Sequence, residues 1–320
     1  MSGPADERVA DPRQVDTRTE LAGMTLRNPV LTASGTFGYG SEFAPFLDLR
    51  RLGAIVAKSL TLRPRFGNPP PRIAETPSGM LNAISLENVG VEVFVEEKLP
   101  LLPDGVPVVA SVFGTEIDEY AEVCRRLTGV PKVVGIELNA SCPHVKSGGI
   151  EFGQAPRALA ALVRAGRAAC QLPLLVKLSP NVADIGEMAR VCEAEGADGI
   201  SLINTLQALD VDVDRRRPVL SNVLGGLSGP AIRPVALRMV WQASRAVKLP
   251  ICGIGGIQSA ADAVKFLLCG ASAVQVGTAN YLDPRVSGEI ADGIALYAAR
   301  HGFSRTADLV GALELPPSKR

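Results

Sequence analysis

A cysteine follows the end of an apolar run in this sequence, at the start of a loop that contains glycine. The run covers residues 133–138, Cys142 comes four residues after it, and the loop continues through Gly148 and Gly149. A thiol presented from the C-terminal end of a buried strand, beside amide or ammonium donors, can act as an acid, a base or a nucleophile. We therefore interpret Cys142 as a candidate catalytic residue. A modest electropositive environment would bring its pKa from about 8.5 toward neutrality.

Two lysines also end apolar runs. Lys58 is followed by Ser59, and Lys177 precedes Leu178. A lysine at the end of a buried strand must extend outward or be paired with an anion. Lys177 could supply the electropositive field for the thiol, and it could equally neutralise a reduced, anionic cofactor.

Neutral polar residues accompany these groups. Asn139 follows the run before the cysteine, Asn204 and Thr205 follow a later run, and Asn82 lies between two runs. Side-chain amides offer both donors and acceptors, so this set suits recognition of an imide or amide ring. Each residue alone is more often a turn residue.

Two glycine-containing turns follow the last two apolar runs. Gly255 and Gly256 precede a segment of helical periodicity, and Gly277 and Thr278 come one unit later. Glycines let backbone N–H groups approach an oxyanion, and a helix N-terminus adds a favourable dipole. The pattern predicts a phosphate site. No GxGxxG opens an early strand–helix unit and no GxxxxGK[ST] is present, which argues against a nicotinamide Rossmann domain and against a P-loop.

Metal and serine-hydrolase chemistry find little support. The only histidines are His144 and His301, too few for a metal mechanism, and there is no GxSxG elbow. The cysteines include no CxxC pair, so their spacing encodes neither a zinc site nor an iron–sulfur cluster. Five cysteines in apolar contexts are interpreted as small buried side chains: Cys124, Cys170, Cys192, Cys252 and Cys269.

Short apolar runs alternate with segments of helical periodicity, which indicates βα units on a parallel sheet. Eight runs fit a (β/α)8 TIM barrel, whose strands are buried on both faces. The predicted strands are residues 30–33, 54–58, 106–112, 133–138, 174–178, 199–203, 251–254 and 273–276. The predicted helices are residues 116–127, 156–170, 185–195, 234–246, 259–269 and 286–300. The proline-rich residues 63–72 cannot be helical and form an insertion that should shape a site or a subunit contact.

Composition restricts the class of protein. In 320 residues, 33 Lys and Arg balance 33 Asp and Glu, so no global field recruits nucleic acid or an anionic membrane. The N-terminus lacks the apolar core of a secretory signal, and no apolar stretch is long enough to span a membrane. We expect a cytoplasmic protein with a disordered leader at residues 1–18, a single barrel domain at 19–312 and a tail at 313–320.

Nine segments together resemble class 1 dihydroorotate dehydrogenases, in particular the catalytic subunit of the NAD-linked class 1B type. They occur in the same order between about residues 20 and 310. The segments are residues 28–38, 56–59, 79–84, 141–143, 176–180, 203–205, 225–230, 255–257 and 276–280.

The resemblance implies a barrel that binds one flavin mononucleotide (FMN) and oxidises dihydroorotate to orotate in the synthesis of UMP. It implies that Cys142 takes the C5 proton while C6 delivers hydride to FMN. The implied substrate-binding residues are Lys58, Asn82, Ala83, Ile84, Ser85, Leu86, Asn139, Asn204 and Thr205. The implied FMN-binding residues are Ser34, Lys58, Ser59, Ser111, Asn139, Lys177, Ile203, Gly229, Gly255, Gly256, Gly277 and Thr278.

The resemblance also implies a second subunit, because class 1B catalytic subunits work with a partner that carries FAD and a [2Fe–2S] cluster and passes electrons to NAD. A homodimer would form the core of a heterotetramer. Three positions depart from the usual pattern. His144 and Ser111 replace asparagines, and Ser85 replaces a glycine. His144 is similar to the pattern of dihydropyrimidine dehydrogenases, which act on uracil or thymine.

Alternatives remain open at this point. One is a dihydropyrimidine dehydrogenase-like subunit. Another is a phosphate-binding aldolase or isomerase barrel without flavin, in which Lys58 or Lys177 forms a Schiff base. A catalytically silent scaffold would leave the polar strand ends unexplained.

Overall fold

Short strands with fully buried side chains organise this protein. The computed structural model describes residues 11–140 and 152–316. Within these ranges the strands are β1 (Thr19–Leu21), β2 (Met24–Leu26), β3 (Val30–Thr32), β4 (Ile55–Val56), β5 (Ile73–Thr76), β6 (Gly79–Asn82), β7 (Val108–Val112), β8 (Val133–Asn139), β9 (Leu174–Lys177), β10 (Gly199–Leu202), β11 (Leu206–Ala208), β12 (Val211–Asp212), β13 (Arg217–Pro218), β14 (Gly225–Ser228), β15 (Ile251–Ile254) and β16 (Ala273–Val276).

Eight of these strands form one parallel sheet in the order β3-β16-β15-β10-β9-β8-β7-β4. A further parallel bridge between Leu31 and Ala54 joins its two edges, so the sheet closes into a barrel. Nearly every residue of the eight strands is buried, because side chains fill the interior on one face and helices cover the other. The predicted (β/α)8 barrel is confirmed, and all eight predicted strands are present.

Helices surround the barrel. They are α1 (Val91–Val93), α2 (Ile117–Leu127), α3 (Pro156–Ala169), α4 (Ile185–Ala194), α5 (Arg233–Ala246), α6 (Ala260–Leu268), α7 (Ala279–Leu282) and α8 (Val286–Arg300). A π-helical turn covers Phe94–Lys98, and 3₁₀ turns cover Pro12–Gln14, Ser41–Phe43, Leu49–Arg51, Leu99–Leu101, Phe152–Gln154, Pro230–Ile232 and Thr306–Leu309. The six predicted helices agree with α2 to α6 and α8 to within one residue at each end. No helix in the described ranges has the length and apolar character needed to cross a membrane.

A hairpin of β1 and β2 closes the N-terminal end of the barrel, which the sequence did not predict. Its side chains Leu21, Met24 and Leu26 are buried in a cluster with Val109 and Leu175 from the barrel strands. This apolar plug fills the N-terminal end of the barrel with packed side chains.

A second sheet, antiparallel, was also not predicted. Its order is β11-β14-β6-β5, so it joins two insertions, one after β4 and one after β10. In its central pairing Asn82 lies opposite Gly226 and Leu81 opposite Leu227. The proline-rich residues 63–72 precede this sheet and contain no helix, as predicted.

Residues 11–18, the described part of the predicted disordered leader, contact the body of the protein. Asp16 bridges to Arg305 in a parallel arrangement, and the Thr17 hydroxyl donates to the Arg27 carbonyl at 2.7 Å. Backbone hydrogen bonds between Asp16 and residues Ser304 and Thr306 therefore attach this part of the chain to the C-terminal segment.

Candidate functional site

A cavity of about 440 Å³ opens at the carboxyl ends of the barrel strands, beneath the antiparallel sheet. It has the size and position expected of a ligand site in this fold. The predicted site residues that line it are Ser34, Lys58, Ser59, Asn82, Ala83, Ile84, Ser85, Leu86, Asn139, Lys177, Ile203, Asn204, Thr205, Gly229, Gly255, Gly256, Gly277 and Thr278. The convergence expected from the strand ends is therefore present in the structure.

Two predicted residues do not appear in this lining. Cys142 lies outside the described residues. Ser111 is fully buried, and its hydroxyl lies 2.9 Å from the Ser59 hydroxyl. The Ser59 hydroxyl in turn accepts a hydrogen bond from Asn139 Nδ2 at 3.1 Å. Ser111 thus supports two residues of the cavity wall from behind.

The charges at the cavity wall have one sign. Among the described lining residues, the charged side chains are those of Lys58 and Lys177, and no carboxylate is present. Lys58 Nζ donates to the Ser85 carbonyl at 3.4 Å. Lys177 is 4% exposed, and its Nζ lies 3.9 Å from Glu137 Oε1. The wall therefore favours an anionic ligand.

Ser85 holds an unusual backbone conformation. Its φ of 69° lies in the left-handed region, where a non-glycine residue costs about 1–2 kcal/mol. The resemblance had placed a glycine here, and the conformation explains why glycine suits the position. The strained turn directs the Ser85 carbonyl toward Lys58.

The glycine turns at one end of the cavity have no space for side chains. A Cβ on Gly255 would lie 2.8 Å from the Ala236 Cβ, and one on Gly256 would lie 2.7 Å from the Gly229 carbonyl. Gly229, Gly255 and Gly256 all have positive φ values, which favour glycine. Helix α6 begins just beyond Gly256, so backbone N–H groups and a helix N-terminus meet at this end of the cavity.

Several lining residues were missed by the sequence reasoning. They are Asn68, Asn181, Gln207, Asn222 and Tyr281, among others. Asn181 Oδ1 accepts from the Gln207 backbone N–H at 3.1 Å, and Asn181 Nδ2 donates to the Ser179 hydroxyl at 3.2 Å. Asn181 lies four residues after Lys177, so its position beyond a strand end was a usable signal. Asn68 and Asn222 lie in insertions and gave no such signal.

The remaining cysteines lie away from the cavity wall. Cys124, Cys170, Cys192 and Cys252 are buried, as interpreted, and Cys269 is half-buried. Burial raises the pKa of the Cys252 thiol, and the negative charge of Glu137 raises it further. The hydrogen bond from Cys124 lowers the pKa of Cys170 to about 7. In the described ranges, no group of three or more His, Cys, Asp and Glu side chains could hold a metal ion.

Comparison with known proteins gives a consistent result. The family described as "Dihydroorotate dehydrogenase" matches residues 17–297. Relatives named "Dihydroorotate dehydrogenase B (NAD(+)), catalytic subunit" align over nearly their whole length. The protein from Trichlorobacter lovleyi is 57% identical over 296 residues, which is 92% of this chain and 97% of the relative. Those from Pelobacter propionicus and Geobacter sulfurreducens are 57% and 55% identical, cover 93% and 94% of this chain, and each align over 99% of their own length.

Proposed function

The chain belongs to the dihydroorotate dehydrogenase family, and from that premise we propose that it oxidises dihydroorotate to orotate in pyrimidine biosynthesis. The observation that supports this most directly is the composition of the cavity wall. Two lysines and several side-chain amides face it, and no carboxylate does among the described lining residues. Dihydroorotate is a carboxylate with an imide ring, and a flavin nucleotide carries a phosphate, so both fit such a wall.

The residues present fit FMN. The turns at Gly229, Gly255 and Gly256 have no room for a side chain, and glycines of this kind let backbone N–H groups approach a phosphate. Lys177 places a cation at the same cavity. When bound, FMN accepts the hydride that leaves C6 of dihydroorotate. The residues proposed to hold it are Ser34, Lys58, Ser59, Ser111, Asn139, Lys177, Ile203, Gly229, Gly255, Gly256, Gly277 and Thr278, with Ser111 acting through Ser59.

The substrate is proposed to lie against the other side of the cavity. Lys58 would bind the carboxylate as a cation, and Asn82, Asn139 and Asn204 would pair with the polar edge of the ring. The segment Ala83, Ile84, Ser85 and Leu86 with Thr205 would complete the substrate-binding residues. Several of these residues come from the barrel, whereas Asn82 comes from the antiparallel sheet. Substrate binding would therefore depend on both the barrel and the antiparallel sheet.

Cys142 is proposed to be the base. Its thiolate would take the proton from C5 of dihydroorotate while the C6 hydrogen leaves with its electron pair, which forms the C5–C6 double bond of orotate. Cys142 lies outside the described residues, so this role rests on its sequence context and on the family. Asn139, three residues before it, lines the cavity.

Electrons are proposed to pass to NAD through a separate subunit. The relatives' name contains the words "NAD(+)" and "catalytic subunit". The cysteines of this chain include no CxxC spacing for an iron–sulfur cluster. We propose a partner that carries FAD and a [2Fe–2S] cluster, a homodimer core within a heterotetramer, and a cytoplasmic location. Residues 19–312 would form the single domain that binds FMN and substrate.

Anaerobic flavin reduction tests the proposed function. The purified, FMN-loaded protein is mixed with dihydroorotate or with dihydrouracil, and the flavin absorbance is followed. We expect bleaching with dihydroorotate only, and reoxidation by NAD only when the partner subunit is added. Bleaching with dihydrouracil alone would assign the chain to dihydropyrimidine chemistry. A protein that cannot be loaded with FMN would contradict the proposal.

A further inference from the structure

Glu137 is a carboxylate inside the barrel that the proposed function does not use. It lies on β8 and is completely buried. Its Oε2 accepts hydrogen bonds from the Ser201 hydroxyl and from Gln275 Nε2, both at 2.7 Å. These donors come from β10 and β16. A buried carboxylate costs several kcal/mol unless it is paired and hydrogen-bonded, so this arrangement must compensate a large penalty.

The second oxygen of Glu137 faces a cation. Oε1 accepts no hydrogen bond from any described residue, and it lies 3.9 Å from Lys177 Nζ. That distance is too long for a hydrogen bond, so the ammonium is held by charge and is not tied to the carboxylate by a directed contact. Lys177 lines the cavity, whereas Glu137 does not. The pair therefore has its anion behind the wall and its cation at the wall.

Lys177 needs such a counter-ion. It is 4% exposed, and Glu137 is its salt-bridge partner among the described residues. Desolvation disfavours the charged form of a buried lysine that has no anion nearby. The hydrogen bonds from Ser201 and Gln275 hold the carboxylate in place without neutralising it. The carboxylate can then stabilise the ammonium at a fixed position.

We propose that Glu137 is a positioning residue for the cofactor site: its carboxylate is the counter-ion that holds the Lys177 ammonium at the cavity wall. The inference rests on the proposed function, because it assigns Lys177 to the bound flavin. Glu137 itself does not line the cavity. Its effect on FMN would reach the cavity only through the Lys177 ammonium, which would donate hydrogen bonds to acceptor atoms of the bound cofactor.

The test is a double-mutant cycle. The FMN affinity of each apoprotein variant is measured by the quenching of flavin fluorescence on binding. Glu137→Gln keeps the side-chain volume and removes the charge, and we expect FMN binding to weaken about tenfold. Ser201→Ala is the matched control, because it removes one hydrogen bond from the same carboxylate and keeps both charges. It should change the FMN affinity less than threefold. Glu137→Asp, which retains the charge, should recover part of the affinity lost in Glu137→Gln.

The decisive comparison uses a background without the lysine. In Lys177→Met, adding Glu137→Gln should weaken FMN binding no further, because Glu137 acts through Lys177. Equal weakening in both backgrounds would overturn the proposal, and so would an unchanged FMN affinity in Glu137→Gln. A purely structural role would lower thermal stability in Glu137→Gln and Ser201→Ala alike and leave both FMN affinities unchanged.

If Glu137→Gln alone does not fold, the stability of the double variant still tests the proposal. The double variant Glu137→Gln with Lys177→Met contains neither buried charge, so its apoprotein should be at least as stable as Lys177→Met alone. Additive destabilisation would show that the two side chains are not a pair and would overturn the proposal. The experiments distinguish failure of the proposed reaction from failure of the proposed role of Glu137. A parent protein that binds FMN and is not reduced by dihydroorotate contradicts the proposed reaction only, whereas a parent that binds no FMN contradicts both.

Discussion

Lys58 and Lys177 reach the cavity in different ways. Lys58 is half-buried, and its Nζ contacts a backbone carbonyl at Ser85. Lys177 is almost fully buried and faces the carboxylate of Glu137. A partly solvated lysine suits a substrate that enters and leaves at each turnover, because water can solvate its charge while no substrate is bound. A lysine with a permanent internal counter-ion suits a cofactor that stays bound.

Substitution of Cys142 should impair the chemical step and leave ligand binding intact. Cys142→Ser should lower turnover by about two to four decades, the usual scale for loss of a general base, while FMN and orotate still bind. A serine hydroxyl keeps the shape of the side chain, but it ionises far less readily than a thiol. Stopped-flow measurement of flavin reduction by dihydroorotate, with orotate titrations of the same samples, separates chemistry from binding.

The pH profile gives the control for this prediction. A thiol base must ionise, so the rate of flavin reduction in the parent should rise with pH toward a pKa at or below about 8.5. Cys269→Ser, which changes a half-buried cysteine outside the cavity wall, should keep the parent's rate and profile. Unchanged turnover in Cys142→Ser would assign that cysteine to packing.

At the scale of elements, burial decided what the sequence could predict. The eight barrel strands are covered on both faces, so each reads as an apolar run that is easily recognised. The strands of the antiparallel sheet are short and partly exposed, and β14 begins with Gly225 and Gly226, which are poor strand formers. Its central pairing joins residues about 145 positions apart, which no local pattern reveals. The cavity residues on barrel strands were therefore predictable, and Asn222 in the second insertion was not.

Gly226 packs against Thr205, one of the proposed substrate-binding residues. A Cβ at this position would lie 2.2 Å from Thr205 Oγ1 and 2.7 Å from the Thr205 Cβ. Gly226→Ala should therefore displace Thr205 and raise KM for dihydroorotate about tenfold, which corresponds to about 1.4 kcal/mol of binding free energy. The FMN affinity should stay within about twofold of the parent, because the phosphate turns are not contacted. Steady-state kinetics and FMN titration test both statements, and a parent-like KM would show that Thr205 does not bind the substrate.

Asp262 stabilises the start of helix α6, next to the glycine turn. It is buried, pairs with Arg233 at 2.8 Å and accepts from the Gln258 backbone N–H at 3.3 Å. Burial raises its pKa, but hydrogen bonds from Lys265, Gln258 and Ser259 and the charge of Arg233 outweigh this, so the pKa lies below its usual 3.8. We expect Asp262→Asn to lower the free energy of unfolding at pH 7 by about 1–2 kcal/mol.

The pH dependence of this difference follows from its sign. A carboxyl group whose pKa is lower in the folded state stabilises the fold fully above its unfolded value, and loses that contribution as the pH falls through the folded value. The gap between the parent and Asp262→Asn should therefore be constant from pH 5 to 8 and shrink below pH 3.8. Urea unfolding at several pH values measures the gap, and a gap that grows toward acid pH would contradict the assignment.

At the scale of the whole molecule, the two ends of the barrel differ: one is open and polar, and the other is closed and apolar. The carboxyl ends of the strands hold the cavity and its polar residues. The opposite end is filled by the hairpin of β1 and β2, whose buried side chains pack against Val109 and Leu175. In barrels of this type, residues at the C-terminal face serve function and those at the N-terminal face serve stability. The same division should hold here, since the hairpin shares no residue with the cavity wall.

Leu21→Ala tests this division. Leu21 is completely buried in the hairpin's cluster, so the substitution should leave a space and lower the free energy of unfolding by about 2–5 kcal/mol. At a temperature where the variant remains folded, KM for dihydroorotate and the FMN affinity should stay within about twofold of the parent. Glu20 is an exposed neighbour of Leu21, and Glu20→Ala should change neither the stability nor the ligand affinities. A tenfold loss of FMN affinity in folded Leu21→Ala would mean that packing at the closed end sets the geometry of the site at the open end.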